Sequence, residues 1–157
     1  MSYDADVKKA LPHQYKFAND IEKVWSCELR QDIRTIRHKG GDYNPIDYMI
    51  IKLNSNKVMG YIELKNRSFK STKYDSLIID HSKMVAIRTK SMFSSLPVFL
   101  GIRYTDKDLY YESKPTHSFP VYHSGRTTQT RDEYDIKEVE YIPLNLFKEL
   151  KWYISQT

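Results

Sequence analysis

Two apolar segments joined by a short polar turn constrain this chain more than anything else in it. Tyr48-Met49-Ile50-Ile51-Lys52-Leu53 and Val58-Met59-Gly60-Tyr61-Ile62-Glu63-Leu64 are rich in strand formers, and Asn54-Ser55-Asn56-Lys57 between them is turn chemistry. The pair predicts a β-hairpin. Its borders carry polar groups: Pro45-Ile46-Asp47 opens the first strand, and Glu63-Leu64-Lys65 closes the second. Residues two apart on a strand point to one face, so Glu63 and Lys65 converge.

The flanking segments supply the rest of a sheet and its cover. Phe17, Ile21, Val24 and Trp25 recur at helical spacing, with Pro12 where that helix begins. A short strand is expected around Ile33 to Ile36, ended by Gly40-Gly41-Asp42. A second helix is expected over Ser82 to Ser95, capped by Asp80 or Ser82, burying Val85, Met92, Phe93 and Leu96 and stopped by Pro97. Val98 to Tyr104 is nearly continuous in apolar residues, as in a strand covered on both faces. Leu109-Tyr110-Tyr111, Phe119 to Tyr122 and Val139 to Pro143 read as strands, and Leu146, Phe147 and Leu150 as a closing amphipathic helix. The fold class expected is α/β, a mixed central sheet flanked by helices. No linker or repeat divides residues 1–157, so one domain is expected.

Composition narrows the function classes. The longest apolar run, Leu96 to Ile102, is far short of the roughly 20 residues a membrane helix needs. With no basic, apolar leader at its start, the chain is expected in the cytoplasm. A single cysteine, Cys27, excludes an internal disulfide and multi-cysteine metal sites. No two of His13, His38, His81, His117 and His123 have metal-ligand spacing on a recognisable element, so zinc is not expected. The 25 Lys and Arg exceed the 20 Asp and Glu by five. That whole excess falls between Leu64 and Lys90, where Lys65, Arg67, Lys70, Lys73, Lys83, Arg88 and Lys90 face only Asp75 and Asp80. Such one-sided charge is the footprint of a polyanion binder, and equally of a solvated surface.

Two carboxylates and a lysine at one end of a hairpin are what metal-assisted phosphodiester hydrolysis requires. The carboxylates hold Mg²⁺ and the lysine orients water and stabilises developing charge. An acidic-x-Lys tripeptide alone means little, since Asp6/Lys8, Glu112/Lys114, Asp135/Lys137 and Glu149/Lys151 repeat it. Only Glu63/Lys65 ends an apolar strand whose hairpin partner opens with Pro-x-Asp. One geometric condition follows. Asp47 shares Glu63's face if the turn has an odd number of residues; a four-residue turn requires a bulge to restore it.

On Pro45-Ile46-Asp47 and Glu63-Leu64-Lys65 the chain resembles the PD-(D/E)xK nuclease superfamily, from about Pro12 to Tyr104. The resemblance implies a restriction endonuclease-like core and metal ligation by Asp47, Glu63 and the Leu64 carbonyl. It implies Lys65 beside the nucleophile, Glu22 of the first helix as an additional carboxylate, and Mg²⁺ (or Mn²⁺) as cofactor. Glu22 as a solvated helix residue is the equal alternative. Lys83, at a helix start, either reaches the scissile phosphate or is an exposed capping lysine. Arg67, Lys70 and Lys73, with Arg126 and Arg131 of a polar loop, are candidate phosphate contacts.

The function expected is a metal-dependent DNA nuclease, directed to structure or ends with weak sequence specificity, in repair, recombination or phage DNA processing. DNA is the expected partner, RNA the second polymer, and a second copy is needed to cut both strands. The alternative is a nucleic-acid-binding module of the same fold without catalysis.

Overall fold

The computed structural model describes residues 2–29, 33–37, 46–52, 55, 57–124 and 137–150, with the side chains of 2–11, 27–29, 33–37 and 124 left aside. Helix α1 (Ser2–Leu29) leads into strands β1 (Ile33–Arg37), β2 (Tyr48–Lys52) and β3 (Lys57–Asn66). Then come β4 (Ser76–Asp80), helix α2 (His81–Ser94), β5 (Val98–Arg103), β6 (Asp108–Glu112), β7 (Val121–Ser124), β8 (Lys137–Pro143) and β9 (Lys148–Glu149). One sheet runs β1-β2-β3-β5-β6-β9 and a second runs β4-β8-β7. Within the first, β3 and β5 are parallel and every other pair is antiparallel. The segment crossing from β3 to β5 is β4 plus α2, and β8 and β7, which follow β6, complete the second sheet on β4.

Alternation along β3 divides the core. Ile62 and Leu64 point to α1, where they meet Phe17, Ile21, Val24 and Trp25. Tyr61 points the other way, into the cluster of Leu77, Ile79, Met84, Ile87 and Ile142 from the second sheet and α2. The large sheet is therefore covered on both faces, as the apolar run of β5 predicts. α1 lies close because Gly101 has no side chain: a Cβ there would stand 2.9 Å from Leu64 Cδ2 and 3.4 Å from the Phe17 ring. Arg103 fastens the same helix, 2.8 Å from Asp20 of α1 and from Asp108 of β6, with its guanidinium over Phe17.

The mixed, helix-flanked sheet is the expected architecture, with four differences in detail. α1 begins well before Pro12, which sits inside the helix and removes one backbone bond from it. β4 is an additional strand with Leu77 and Ile79 inward. α2 buries Met84 and Ile87, whereas Val85, Met92 (57% exposed) and Phe93 (80% exposed) face outward. Apolar residues occupy both sides of this helix, and the second sheet claims the other side. Finally, Leu146, Phe147 and Leu150 form no α-helix. A 3-10 turn (Leu144–Leu146) leads into β9, which adds to the edge of β6, and the Leu150 N–H donates to the Asp108 carbonyl at 2.9 Å.

Candidate active site

The hairpin meets the geometric condition by its second route. Lys52 pairs with Lys57, so four residues separate the strands, and near the turn the register would place Asp47 opposite Ile62. Between Ile50 and Ile51 the register shifts, with Ile51 opposite Val58 but Ile50 opposite Gly60. Met59 is the extra residue of a β-bulge, and one step past the Tyr48–Ile62 pair Asp47 faces Glu63. The Asp47 N–H donates to Glu63 Oε2 at 3.0 Å, and the Leu64 N–H donates to Asp47 Oδ2 at 3.2 Å. Each carboxylate is thus held by the other strand's backbone.

Two cations complete the group. Lys65 Nζ stands 3.5 Å and Lys83 Nζ 3.1 Å from Glu63 Oε1. Lys83 arrives from the first turn of α2, so the crossover after β3 returns a basic residue to β3's own carboxylate. Glu63 is 1% exposed. Burial first, and the Asp47 charge second, push its carboxyl up to about 7, against the pull of Lys65 and Lys83. A carboxylate buried at this cost, beside a second one, makes this group the candidate functional site.

The backbone offers a further oxygen. Tyr61 and Arg67 donate their N–H groups to the β5 side, to Pro97 and Arg103 carbonyls at 3.0 and 2.8 Å. The even-numbered groups of β3 therefore face β2, and the N–H and C=O of one strand residue share an edge. Leu64 presents both beyond the start of β2, beside Asp47. Among the described residues no cluster of three His, Cys, Asp or Glu side chains gathers. Two carboxylates and a carbonyl are hard oxygen donors, and a cation that keeps several waters, as Mg²⁺ does, needs no more from the protein.

The family model described as "Phage putative PDDEXK endonuclease" matches residues 3–150. The chain belongs to this PD-(D/E)xK endonuclease family. Among solved structures, a Holliday junction resolvase from Archaeoglobus fulgidus is similar at 16% identity and a TM-score of 0.38, over 59% of this chain and 72% of that one. No curated protein matches. Family and architecture together meet the expected fold class, and they make this chain a member of a nuclease family.

Within this family member, the structure brings Asp47, Glu63, Leu64, Lys65 and Lys83 together. Glu22 is half-buried on α1. Arg67 turns inward, donating to the Ile78 and Asn66 carbonyls at 3.4 and 3.2 Å. Lys70 and Lys73 are exposed on the loop after β3. Pro45, Arg126, Arg131 and the Cys27 side chain lie outside the described residues.

One cluster has no counterpart in the sequence analysis. Glu140 of β8 is wholly buried, gripped by Arg88 Nη1 and Nη2 at 2.8 and 2.7 Å, with His81 Nδ1 at 2.7 Å. Burial pushes its carboxyl up, but the bonds from Arg88 and His81 prevail and hold it below the usual range. Since His81 and Arg88 both belong to α2, Glu140 fixes the first turn that carries Lys83. The only sequence signal was a carboxylate inside the strand Val139 to Pro143, and an outward-facing glutamate gives the same signal.

Proposed function

We propose that this endonuclease hydrolyses phosphodiester bonds in DNA with a divalent cation held by Asp47, Glu63 and the Leu64 carbonyl. The observation that carries this is the buried Glu63 carboxylate, faced by Asp47 and bridged by two lysines. When bound, Mg²⁺ would supply Lewis-acid stabilisation of the phosphate and lower the pKa of water. Asp47 and Glu63 hold their positions through the opposite strand's N–H groups, so the donors are pre-organised. Lys65 and Lys83 neutralise the carboxylates in the metal-free chain. With substrate present, Lys65 orients the attacking water and Lys83 contacts the scissile phosphate. Lys70 and Lys73 add phosphate contacts outside the cleft. Glu22, half-buried on the helix that packs against β3, is the candidate extra carboxylate.

The substrate reading is structure- or end-directed cleavage with weak sequence specificity, serving recombination, repair or phage DNA processing. Among the described residues nothing resembles an added major-groove reader. A protein of this size has a radius of gyration of about 15 Å and one site, so cutting both strands calls for two copies about a two-fold axis.

Purified protein should convert labelled DNA to products with Mg²⁺ or Mn²⁺ and stop on adding EDTA. Lys65→Ala should lower turnover about 10²–10³-fold with binding little changed. DNA binding without metal-dependent product would instead identify a non-catalytic module of the same fold.

A further inference from the structure

The loop between β3 and β4 carries an aromatic surface that the hydrolytic group does not use. Phe69 and Tyr74 meet edge to face at 5.4 Å, and the Lys73 ammonium lies over both rings at 5.0 and 5.5 Å. Tyr74 nonetheless remains 52% exposed. The loop is held in place at several points. Ser71 bonds Asp106 through its N–H (2.8 Å) and its hydroxyl (2.7 Å), and the Thr105 N–H donates to the Phe69 carbonyl at 3.1 Å. On the other side the Leu144 N–H donates to the Asp75 carbonyl at 2.9 Å. Beside Tyr74, and bordered by the segment after β8, is an open cavity of about 410 Å³ lined by Ser71, Thr72, Tyr74, Asp75, Leu144 and Asn145. That volume lies in the range of small-ligand sites, roughly 300–1,000 Å³.

The lining decides the class of ligand. It holds an aromatic face, an amide, a hydroxyl and a carboxylate, and no Lys or Arg among the described residues. A phosphate would be repelled by Asp75 and find no cation inside. A nucleobase would stack on Tyr74 and offer ring and amino groups to Asn145 and Asp75, while its phosphates lay outside against Lys70 and Lys73. Position agrees with this. β4, five residues long, runs from this loop to the α2 turn that carries Lys83. It rises about 16 Å, or about five base steps along a strand.

We propose that this cavity binds one unpaired nucleobase of the DNA, so that the enzyme engages a single-stranded extension or opened strand a few nucleotides from the scissile bond. The inference rests on the nuclease reading for its substrate but not for its test. Binding is measured in EDTA with a blunt duplex, and with the same duplex carrying a single-stranded extension that holds 2-aminopurine. The wild-type protein should prefer the extended form and quench the probe at one position. Tyr74→Ala should abolish the quench and weaken the extended substrate about tenfold, leaving the blunt duplex within about twofold. Tyr74→Phe, which keeps the ring, should retain the quench. Equal loss for both substrates, or a quench that survives Tyr74→Ala, overturns the proposal. Cleavage by the wild type in Mg²⁺ is scored separately. A Tyr74-dependent quench without cleavage leaves the base pocket standing and removes the nuclease, and the reverse result does the opposite.

Discussion

Burial and the Asp47 charge work against the charged form of Glu63, and the consequence is measurable. Its carboxyl sits at about 7 in the fold, against 4.5 for the free group. The folded state therefore binds the proton more tightly than the unfolded chain. Stability contributed by the neutral form is present below about pH 4.5 and declines as pH rises to about 7, by on the order of 3 kcal/mol. Thermal melts in EDTA should show Glu63→Gln more stable than wild type at pH 8 and equal to it near pH 4, while the variant loses cleavage. The same proton competes with metal. Below about pH 7 the apparent Mg²⁺ affinity should fall about tenfold per pH unit, read by titration calorimetry. An affinity independent of pH between 5.5 and 6.5, in about these bounds, would disconnect Glu63 from the metal. At this scale the sequence was most readable for Asp47, Glu63 and Lys65, because strand context separated one acidic-x-Lys from four others. Lys83 was ambiguous, since only the path of β4 brings α2 back over β3. Glu140 was not readable at all, because burial of a carboxylate depends on partners 52 and 59 residues away.

Among the elements, α2 is the one whose placement decides the site. Glu140 clamps its first and second turns, so Arg88→Ala should leave a buried carboxylate partly uncompensated. We expect a stability loss of about 3–5 kcal/mol by denaturant titration. A smaller loss would mean that His81 alone suffices. The helix also shows where periodicity misleads. Val85, Met92 and Phe93 form a stripe as convincing as Met84 and Ile87, and only the second sheet chooses between them. The closing segment misleads in the opposite way: Leu146, Phe147 and Leu150 fit a helix, yet the open edge of β6 offers backbone partners that a helix would leave unpaired. On β3, a Cβ at Gly60 would stand 2.7 Å from the Pro97 carbonyl. Because that contact is backbone, Gly60→Ala should force β3 and β5 apart at the entry to the site. About 1–3 kcal/mol of destabilisation is expected from the melting temperature.

For the molecule as a whole, the concentration of charge between Leu64 and Lys90 becomes a spatial fact. β3, its loop, β4 and α2 form one crossover, so the basic stretch wraps the carboxylates instead of forming a separate tail. Under the proposed function, the lysines beside the carboxylates and those of the loop should then be separable by salt. With about three or four phosphates neutralised, the logarithm of DNA affinity should fall with slope about −3 against the logarithm of salt concentration. Lys70→Ala should reduce that slope by about one, measured by fluorescence anisotropy in EDTA. An unchanged slope would remove the loop from the DNA path. The bulge at Met59 has a practical meaning for work on the intact protein. It lies between the turn and the paired carboxylates, so strand pairing at Asp47 is insulated from whatever happens at the hairpin tip. Ser55, exposed at the tip, is therefore a permissive attachment point for a dye or a tethered module, and deleting Met59 would give a regular hairpin that still sets Asp47 opposite Glu63.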